Sequence, residues 1–366
     1  MGKAPYINQM PNPSQPPSDA EIVTARDKSR AASINPKHPP LVSHIYTADP
    51  SAHVFNGKIY IYPSHDVEND KPTNDNGDHF DMKDYHVFSL EEPFRAEPSG
   101  TVIDHGCALD IADVKWAKRQ MWAPDTAEKG GKFYLYFPAR NHQDIFQIGV
   151  AISDQPQGPF VPQETAIEGT YSIDPAVLQD DNNAYYLYYL YFGGIWGGQL
   201  QAWQNNQHGT DHYPAQHEPA IAPRVALLAD NMVDLAESPR EIQILDEHGA
   251  PLTAGDTERR YFEGPWMHKY NGKYYFSYST GDTHKIVYGT GDSPYGPFTY
   301  QGCILTPVLG WTTHHSIVQF KEKWYLFYHD CQLSGGETHL RNIKMAELFH
   351  NPDGTIQTIN PYIESN

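Results

Sequence analysis

The sequence has few cysteines, few basic residues and no long apolar run. Its 366 residues include three cysteines, Cys107, Cys303 and Cys331, which are far apart and form no C-x-x-C pair. This pattern excludes a disulfide-rich scaffold and a cysteine-based zinc site. No apolar segment approaches the roughly 20 residues that a membrane helix needs, and the polar N-terminal segment lacks the apolar core of a secretion signal. We therefore expect a cytoplasmic protein.

Basic residues are strongly outnumbered by acidic ones. Lys and Arg together number 26 against 45 Asp and Glu, which gives a formal net charge of −19. Such a charge repels phosphate backbones and anionic lipid, so neither nucleic acid nor a membrane surface is an expected partner. The sequence also has no H-E-x-x-H, G-x-S-x-G, phosphate-binding loop or dinucleotide-binding pattern. A neutral polar partner such as a sugar is compatible with these absences.

Aromatic residues and turn residues, in contrast, are abundant. Tyr, Phe and Trp number 25, 15 and 7, and there are 28 Gly and 30 Pro, a composition typical of strands and turns. Five segments combine a tight turn with an alternating aromatic strand, which indicates β-hairpins. These segments are NGKIYIYPS (56–64), GGKFYLYFP (130–138), DNNAYYLYYL (181–190), NGKYYFSYS (271–279) and KEKWYLFYHD (321–330).

A second repeated element follows several of the hairpins. VAISDQPQGPF (150–160) and VYGTGDSPYGPF (287–298) match closely, and each predicts a third strand, a turn and a fourth strand. Four strands repeated five times predict an all-β, five-bladed β-propeller, with a β-sandwich as the alternative. We expect residues 37–366 to form this single domain. Residues 1–36 are expected to form an N-terminal arm that packs on it, with a helix over residues 19–32.

Ionisable residues occupy equivalent places just upstream of four hairpins. When the repeats are aligned, Asp49, Asp174, a position next to Glu263, and His314 correspond to one another. The innermost strands of a propeller begin around one central channel. These side chains are therefore expected to converge, although they are far apart in the sequence.

Five short motifs occur in order along the repeats: ADPS (48–51), WAPD (122–125), IDPAV (173–177), FEGPW (262–266) and HHSIV (314–318). Together they resemble glycoside hydrolase family 43. The resemblance implies a five-bladed propeller that hydrolyses glycosides with inversion. It implies further that Asp49 is the general base, that Asp174 orients the substrate and tunes the acid, and that Glu263 is the general acid. Inverting cleavage does need an ionised base and a second carboxyl that keeps its proton, which burial and a like charge both favour.

The same resemblance implies a possible metal ion in the channel. His314, with His315 as the fallback, matches the family's channel histidine, which implies a central Ca²⁺ held largely through water. A histidine that only hydrogen-bonds to the carboxylates is the alternative.

The acidic stretch 66–81 lacks the spacing of an EF-hand loop, and we expect it to form a loop at the rim of the pocket.

Four further residues are candidates for contacting the substrate. Arg341 resembles the family's substrate-contacting arginine, and a surface salt bridge is the alternative. Aromatic rings can stack on the apolar face of a sugar, and packing between blades is the alternative for each ring. The candidates of this kind are Trp122, Trp266 and Trp196.

Two classes of function remain open. The favoured function is an exo-acting β-xylosidase that removes xylose from the non-reducing ends of xylo-oligosaccharides. An α-L-arabinofuranosidase, or an enzyme with both activities, is the competing enzymatic interpretation, with arabino-oligosaccharides as substrates. A carbohydrate-binding propeller without catalysis is the non-enzymatic alternative.

Overall fold

The computed structural model describes residues 17–91, 102–189 and 212–363. Within these ranges the N-terminal region contributes helix α1 (Asp19–Ala31) and strand β1 (Asn35–Pro36). A capping box between Ser18 and Glu21 fixes the start of α1, since both side chains satisfy backbone N–H groups that a helix start leaves unpaired. None of the described helices has the length and apolar character needed to cross a bilayer.

The following strands form five sheets, one for each blade. Blade one contains β2 (Tyr46–Phe55), β3 (Lys58–Asp66), β4 (Asp84–Leu90) and β5 (Val102–Asp110). Blade two contains β6 (Ala117–Arg119), β7 (Asp125–Lys129), β8 (Lys132–Asn141), β9 (Phe146–Ser153) and β10 (Val161–Pro162). Blade three contains β11 (Ala176–Gln179), β12 (Tyr185–Tyr189), β13 (Arg224–Leu227) and β14 (Arg240–Glu241).

The last two blades complete the propeller. Blade four contains β15 (Ile244–Leu245), β16 (Glu263–Tyr270), β17 (Lys273–Ser279), β18 (Ile286–Gly291) and β19 (Phe298–Leu305), with β15 parallel to β19. Blade five contains β20 (His315–Phe320), β21 (Lys323–Asp330) and β22 (Asn342–Leu348). Strand β23 (Tyr362–Ile363) pairs with β1 and so joins the two ends of the described chain.

The predicted hairpins explain why each blade forms locally. Asn56-Gly57 joins β2 to β3, and Asn271-Gly272 joins β16 to β17; all four residues have positive φ angles. Two consecutive left-handed residues make the type I′ turn, whose twist matches that of an antiparallel pair. The turn before β21 uses Lys321-Glu322 in the same conformation, without a glycine.

The innermost strands form a ring, and this ring positions the functional site. Strands β2, β7, β11, β16 and β20 contact one another in that circular order. The aromatic strands behind them are buried on both faces, because each blade packs against two others. Fully buried rings include Tyr62, Tyr136, Tyr188, Tyr278 and Phe327. The five-bladed propeller predicted from the sequence is confirmed.

Helix α1 lies against loops of the propeller. Asp75 Oδ1, between β3 and β4, accepts the backbone N–H of Ala20 at 3.0 Å. At the other end of the helix, the fully buried Asp27 accepts the backbone N–H of Gly310 at 2.7 Å. The helix is thus joined to blade one and to the segment that leads into blade five. The exact division of the chain at residue 36 stays a prediction.

Candidate active site

The ring of inner strands surrounds a pocket of about 370 Å³, open mouth included, that is lined by all three predicted carboxyl groups. Asp49, Asp174 and Glu263 come from blades one, three and four, and each is less than 10% exposed. They converge because the start of each inner strand faces the channel, as the repeat alignment predicted. The other lining residues are Phe80, Met82, Trp122, Ala123, Ile173, Thr312, His314 and Arg341.

Asp49 sits at an irregularity in β2. Pairing between β2 and β3 is interrupted between Ala48 and Ser51, and Asp49 has a left-handed φ of 50°, a conformation that Asp tolerates better than most residues. Ser64 Oγ donates to Asp49 Oδ2 at 2.5 Å. The backbone N–H of Asp49 donates to His329 Nδ1 at 3.0 Å, so hydrogen bonds hold both the carboxyl and the main chain of this residue.

Arg341 is the main positive charge beside Asp49. Its Nη1 donates to Asp49 Oδ1 at 3.0 Å, while Nε and Nη2 bind the two oxygens of Asp66 at 2.8 and 2.7 Å. Arg341 is 2% exposed, and its guanidinium lies 4.8 Å from the ring centroid of Phe80. A bidentate pair of this kind fixes the orientation of the arginine. Arg341 is therefore part of the pocket, and the alternative of a surface salt bridge is wrong.

These contacts decide the charge of Asp49. Burial by itself would raise the pKa of this carboxyl. The guanidinium of Arg341 and the hydroxyl of Ser64 favour the charged form more strongly, and the pKa falls to about 2. Asp49 is thus ionised throughout the neutral range, as a general base must be before it takes a proton.

Asp174 and Glu263 show the opposite behaviour. Burial and the charge of Asp49 raise the pKa of Asp174 to about 8. Burial and the charges of Asp174 and Asp49 raise the pKa of Glu263 well above its usual range. The backbone N–H of Gly264 donates to Asp174 Oδ2 at 3.0 Å, which favours the ionised form of Asp174. We therefore place the retained proton of this pair on Glu263.

His314 faces the same pocket in a different environment. Its two ring nitrogens are buried, and neither has a hydrogen-bond partner among the described residues. Nε2 lies 4.0 Å from Asp174 Oδ2, and burial lowers the pKa of the imidazole, which favours the neutral ring. Gly264 makes this approach possible, because a Cβ there would lie 2.9 Å from His314 Cδ2. His315 instead binds Ser277 Oγ at 2.6 Å through Nε2 and does not line the pocket.

The predicted Ca²⁺ fits this surrounding only as a largely hydrated ion. Ca²⁺ takes six to eight oxygen ligands, whereas His314 offers one neutral nitrogen. The buried nitrogens without partners are consistent with a water molecule bound to His314, and such a water could in turn bind a cation. The residues present thus fit an ion held through water, and they do not form a protein cage.

The tryptophan candidates have different positions. Trp122 lines the pocket, and its Nε1 donates to the carbonyl of Phe80 at 2.8 Å. Trp266 does not line the pocket: its Nε1 donates to the carbonyl of Ile317 at 2.9 Å, and its ring lies 5.3 Å from that of His53. The ring of Trp266 thus packs between inner strands, in the way that the packing alternative describes, and its stacking on a sugar stays a prediction. Trp196 lies outside the described residues.

Several site residues were not identified from the sequence. Ser64 and Asp66 lie two residues apart at the end of β3, so they share one face of the strand and hold Asp49 and Arg341. Thr312 accepts from Arg341 Nη1 at 3.0 Å. Phe80 and Met82 come from the 66–81 stretch and the residues just after it, in agreement with the predicted rim loop. The S-x-D spacing after an aromatic strand is the only sequence signal that could have pointed to Ser64 and Asp66.

A second cavity, of about 700 Å³ with its open mouth, adjoins the first. Glu263 and Thr312 line both cavities. Helix α1 contributes Asp19, Ile22 and Val23 to the second one, opposite Phe262 and Trp311. Glu263 thus stands between the smaller pocket and a wider one.

Comparisons with known proteins agree with this geometry. A model of glycosyl hydrolases family 43 matches residues 104–356. A xylosidase/arabinosidase from Bacteroides ovatus is 59% identical over 321 residues, covering 87% of this chain and 96% of the relative. A solved β-xylosidase/α-arabinofuranosidase from a compost microbial metagenome, in complex with xylotriose and in a calcium-free form, is 61% identical, with a TM-score of 0.84 over 90% of this chain and 100% of that one. A solved family 43 enzyme from Xanthomonas citri, complexed with xylotriose, is 58% identical, with a TM-score of 0.83 over 93% of this chain and 98% of that one. The protein is a glycoside hydrolase and belongs to glycosyl hydrolase family 43.

Proposed function

We propose that this protein is an inverting, exo-acting β-xylosidase that releases xylose from the non-reducing ends of xylo-oligosaccharides. The observation that carries the proposal is the opposite perturbation of two carboxyls in one pocket. The pKa of Asp49 is lowered to about 2, and the pKa of Glu263 is raised well above its usual range. Two carboxyls whose surroundings push their pKa values apart are suited to act as base and acid in one step.

In the proposed reaction each residue has one role. Asp49 accepts a proton from a water molecule, and the water oxygen bonds to the anomeric carbon from the face opposite the leaving group. Glu263 donates its proton to the glycosidic oxygen as the bond from the anomeric carbon to that oxygen breaks. Asp174 orients the substrate and keeps Glu263 protonated. One displacement of this kind inverts the anomeric configuration.

The two cavities support exo action on short oligosaccharides. An acid that protonates the glycosidic oxygen must stand between the sugar that is cleaved and the group that leaves, and Glu263 lines both cavities. We assign the smaller pocket to the terminal xylose, with Trp122 and Phe80 beside the ring and Arg341 beside the hydroxyls. We assign the wider cavity to the leaving oligosaccharide.

An α-L-arabinofuranosidase activity, alone or beside the first, is the second candidate. The relatives from Bacteroides ovatus and from the compost metagenome are named for both activities. The non-catalytic alternative is disfavoured, because a binding pocket for neutral sugars has no need of a carboxyl held protonated next to one held ionised.

A hydrated Ca²⁺ near His314 is part of the proposal. The compost enzyme was solved in a form described as calcium-free, and the neutral His314 ring fits contact with such an ion through water. When bound, the ion would supply positive charge beneath the sugar.

A cytoplasmic location is also proposed, and cell fractionation with an antibody against the protein would test it.

The test compares two nitrophenyl glycosides, the β-D-xylopyranoside and the α-L-arabinofuranoside, together with xylotriose. We expect a higher kcat/KM on the xyloside, and xylose with xylobiose as the first products from xylotriose. Asp49→Asn should lose activity on all three substrates, while Asp181→Asn, an exposed change in the same propeller, should retain it. Activity on the arabinofuranoside alone would select the second candidate, and activity on neither would refute the proposal.

A further inference from the structure

Blade one brings two histidines and an aspartate together on its two middle strands. His65 lies on β3, and Asp84 and His86 lie two residues apart on the neighbouring strand β4. Side chains two apart on a strand project from the same face. One possible ligand atom from each of the three residues lies within 4.8 Å of the other two, and among the described residues this is the one group of three or more that meets this condition.

The separations suit ligands of a single ion. His65 Nδ1 is hydrogen-bonded to Asp84 Oδ1 at 2.7 Å, and His86 Nε2 is 3.8 Å from Asp84 Oδ2. Binding of the ion replaces this hydrogen bond and releases its proton to water. Two ligand atoms bound about 2.0–2.1 Å from a tetrahedral ion lie roughly 3.3 Å apart. These two values fall on either side of this separation and the third pair lies within 4.8 Å, so side-chain rotations without movement of the strands would bring the atoms towards bonding positions.

Asp104 on β5 prepares His86 for binding. The carboxylate of Asp104 is 3.1 Å from His86 Nδ1, and its other oxygen is 2.7 Å from His44 Nε2. A carboxylate that binds one imidazole nitrogen holds the proton there and leaves the lone pair on the other nitrogen, as is common for metal-binding histidines. His86 Nε2, the nitrogen closer to Asp84, is then the nitrogen with the free lone pair.

The cluster faces away from the contacts that serve catalysis. His65 is flanked by Ser64 and Asp66, which hold Asp49 and Arg341. Because successive side chains alternate across a strand, His65 projects to the opposite face. The side chains of His65, Asp84 and His86 are 18%, 19% and 18% exposed, so an ion could enter and water could complete its coordination.

We infer that His65, Asp84 and His86 form a binding site for a divalent transition-metal ion of the Zn²⁺ class on the face of blade one opposite the active site. Two imidazoles and one carboxylate suit Zn²⁺ and related first-row ions, with water as a fourth ligand. Ca²⁺ and Mg²⁺ prefer sets of oxygen ligands. This site is thereby chemically distinct from the channel position near His314.

Calorimetric titration of the chelator-treated full-length protein with Zn²⁺ tests the inference directly. Excess Ca²⁺ is present throughout, to occupy any site that prefers hard ions. We expect one Zn²⁺ per chain at this site, and its loss in the double variant H65Q/H86Q. Losing a ligand should weaken binding by more than the roughly 10–100-fold that loss of an outer partner costs. The control is His248→Gln, which removes an exposed histidine whose side chain is 82% accessible.

Two further measurements guard against a variant that merely unfolds. Circular dichroism must show that H65Q/H86Q is folded; otherwise the single variant H86Q is used. Co²⁺ bound in place of Zn²⁺ should give visible absorption in the wild type and the H248Q control, and none in the folded H65Q/H86Q or H86Q variant. Asp104→Asn should weaken Zn²⁺ binding without abolishing it, because Asp104 orients His86 and does not bind the ion. Equal Zn²⁺ binding by the wild type and the folded variant, or no binding by the wild type, would overturn the inference and leave the cluster as a set of ion pairs.

Discussion

Replacing Asp174 by Asn isolates the electrostatic part of the proposed mechanism. Asp174 has a left-handed φ of 52°, which Asn adopts readily, and the amide oxygen of Asn can still accept the N–H of Gly264. The substitution therefore removes one negative charge while the backbone and the hydrogen bond remain. After burial, the charge of Asp174 is the largest cause of the raised pKa of Glu263.

The sign of the effect follows from this cause. Without the charge of Asp174, the ionised form of Glu263 is less unfavourable, so the pKa of Glu263 falls and the acid loses its proton at a lower pH. A single like charge against a buried carboxyl is worth about 1.4 kcal/mol or more. The alkaline midpoint of the pH profile of kcat/KM should thus move down by at least about one pH unit. Glu263 remains buried in the variant, so its pKa should still be higher than that of an exposed glutamate.

The assay is kcat/KM for xylobiose as a function of pH. Xylobiose is chosen because its leaving group is a sugar hydroxyl that needs a proton, whereas nitrophenolate leaves without one and would hide the alkaline limb. Asp181→Asn is the matched control, because Asp181 is exposed and lies in the turn between β11 and β12 of the same blade. Its profile should equal that of the wild type. An alkaline midpoint in D174N that stays in place or moves up would refute the assignment of Glu263 as an acid governed by Asp174.

Three other predictions concern the same pocket. Glu263→Gln should lower kcat on xylobiose by roughly 10²–10⁴-fold, the usual worth of a general acid, and should affect the nitrophenyl xyloside much less; an equal loss on both substrates would contradict the role. Proton NMR of the first product from a β-linked substrate should show α-xylose, and initial β-xylose would exclude a single displacement. Exhaustive chelation should lower activity and shift its pH profile upward, since loss of a nearby positive charge raises carboxyl pKa values. His314→Ala should mimic chelation and remove the response to added Ca²⁺, and a wild type indifferent to chelation would refute the channel ion.

The fold could be predicted from the sequence because its signals are local. Asn56-Gly57 and Asn271-Gly272 fix tight hairpins, and the aromatic alternation that follows fixes strands. Five repeats of such a unit then predict a sheet arrangement that closes into a five-bladed propeller. The fifth turn was found although it has no glycine, because Lys321-Glu322 is followed by the same aromatic pattern.

The site could be predicted only in part, because its contacts join distant segments. The repeat alignment brought Asp49, Asp174 and Glu263 together, since equivalent strand positions share the channel. It could not show that Ser64 and Asp66 serve Asp49 and Arg341, because such contacts depend on which blade lies beside which. The sequence left two positions open for Trp266 for a related reason: a tryptophan in the FEGPW motif can face the channel or the interior, and only the side-chain direction distinguishes the two.

The placement of one cation explains why the carboxyls differ in pKa and so suit the different roles proposed for them. Arg341, which precedes β22 in blade five, crosses to blade one and lies against Asp49 and Asp66. It therefore compensates the charge of the carboxyl on the side of blade one and leaves Asp174 and Glu263 with weaker compensation. Two buried carboxyls without a cation between them do not both ionise. The proton is thus retained on the side of blades three and four, and the proposed base lies on the side of the arginine. The spacing of these residues along the chain does not predict which carboxyl the arginine compensates, because this contact forms only when blade five packs against blade one.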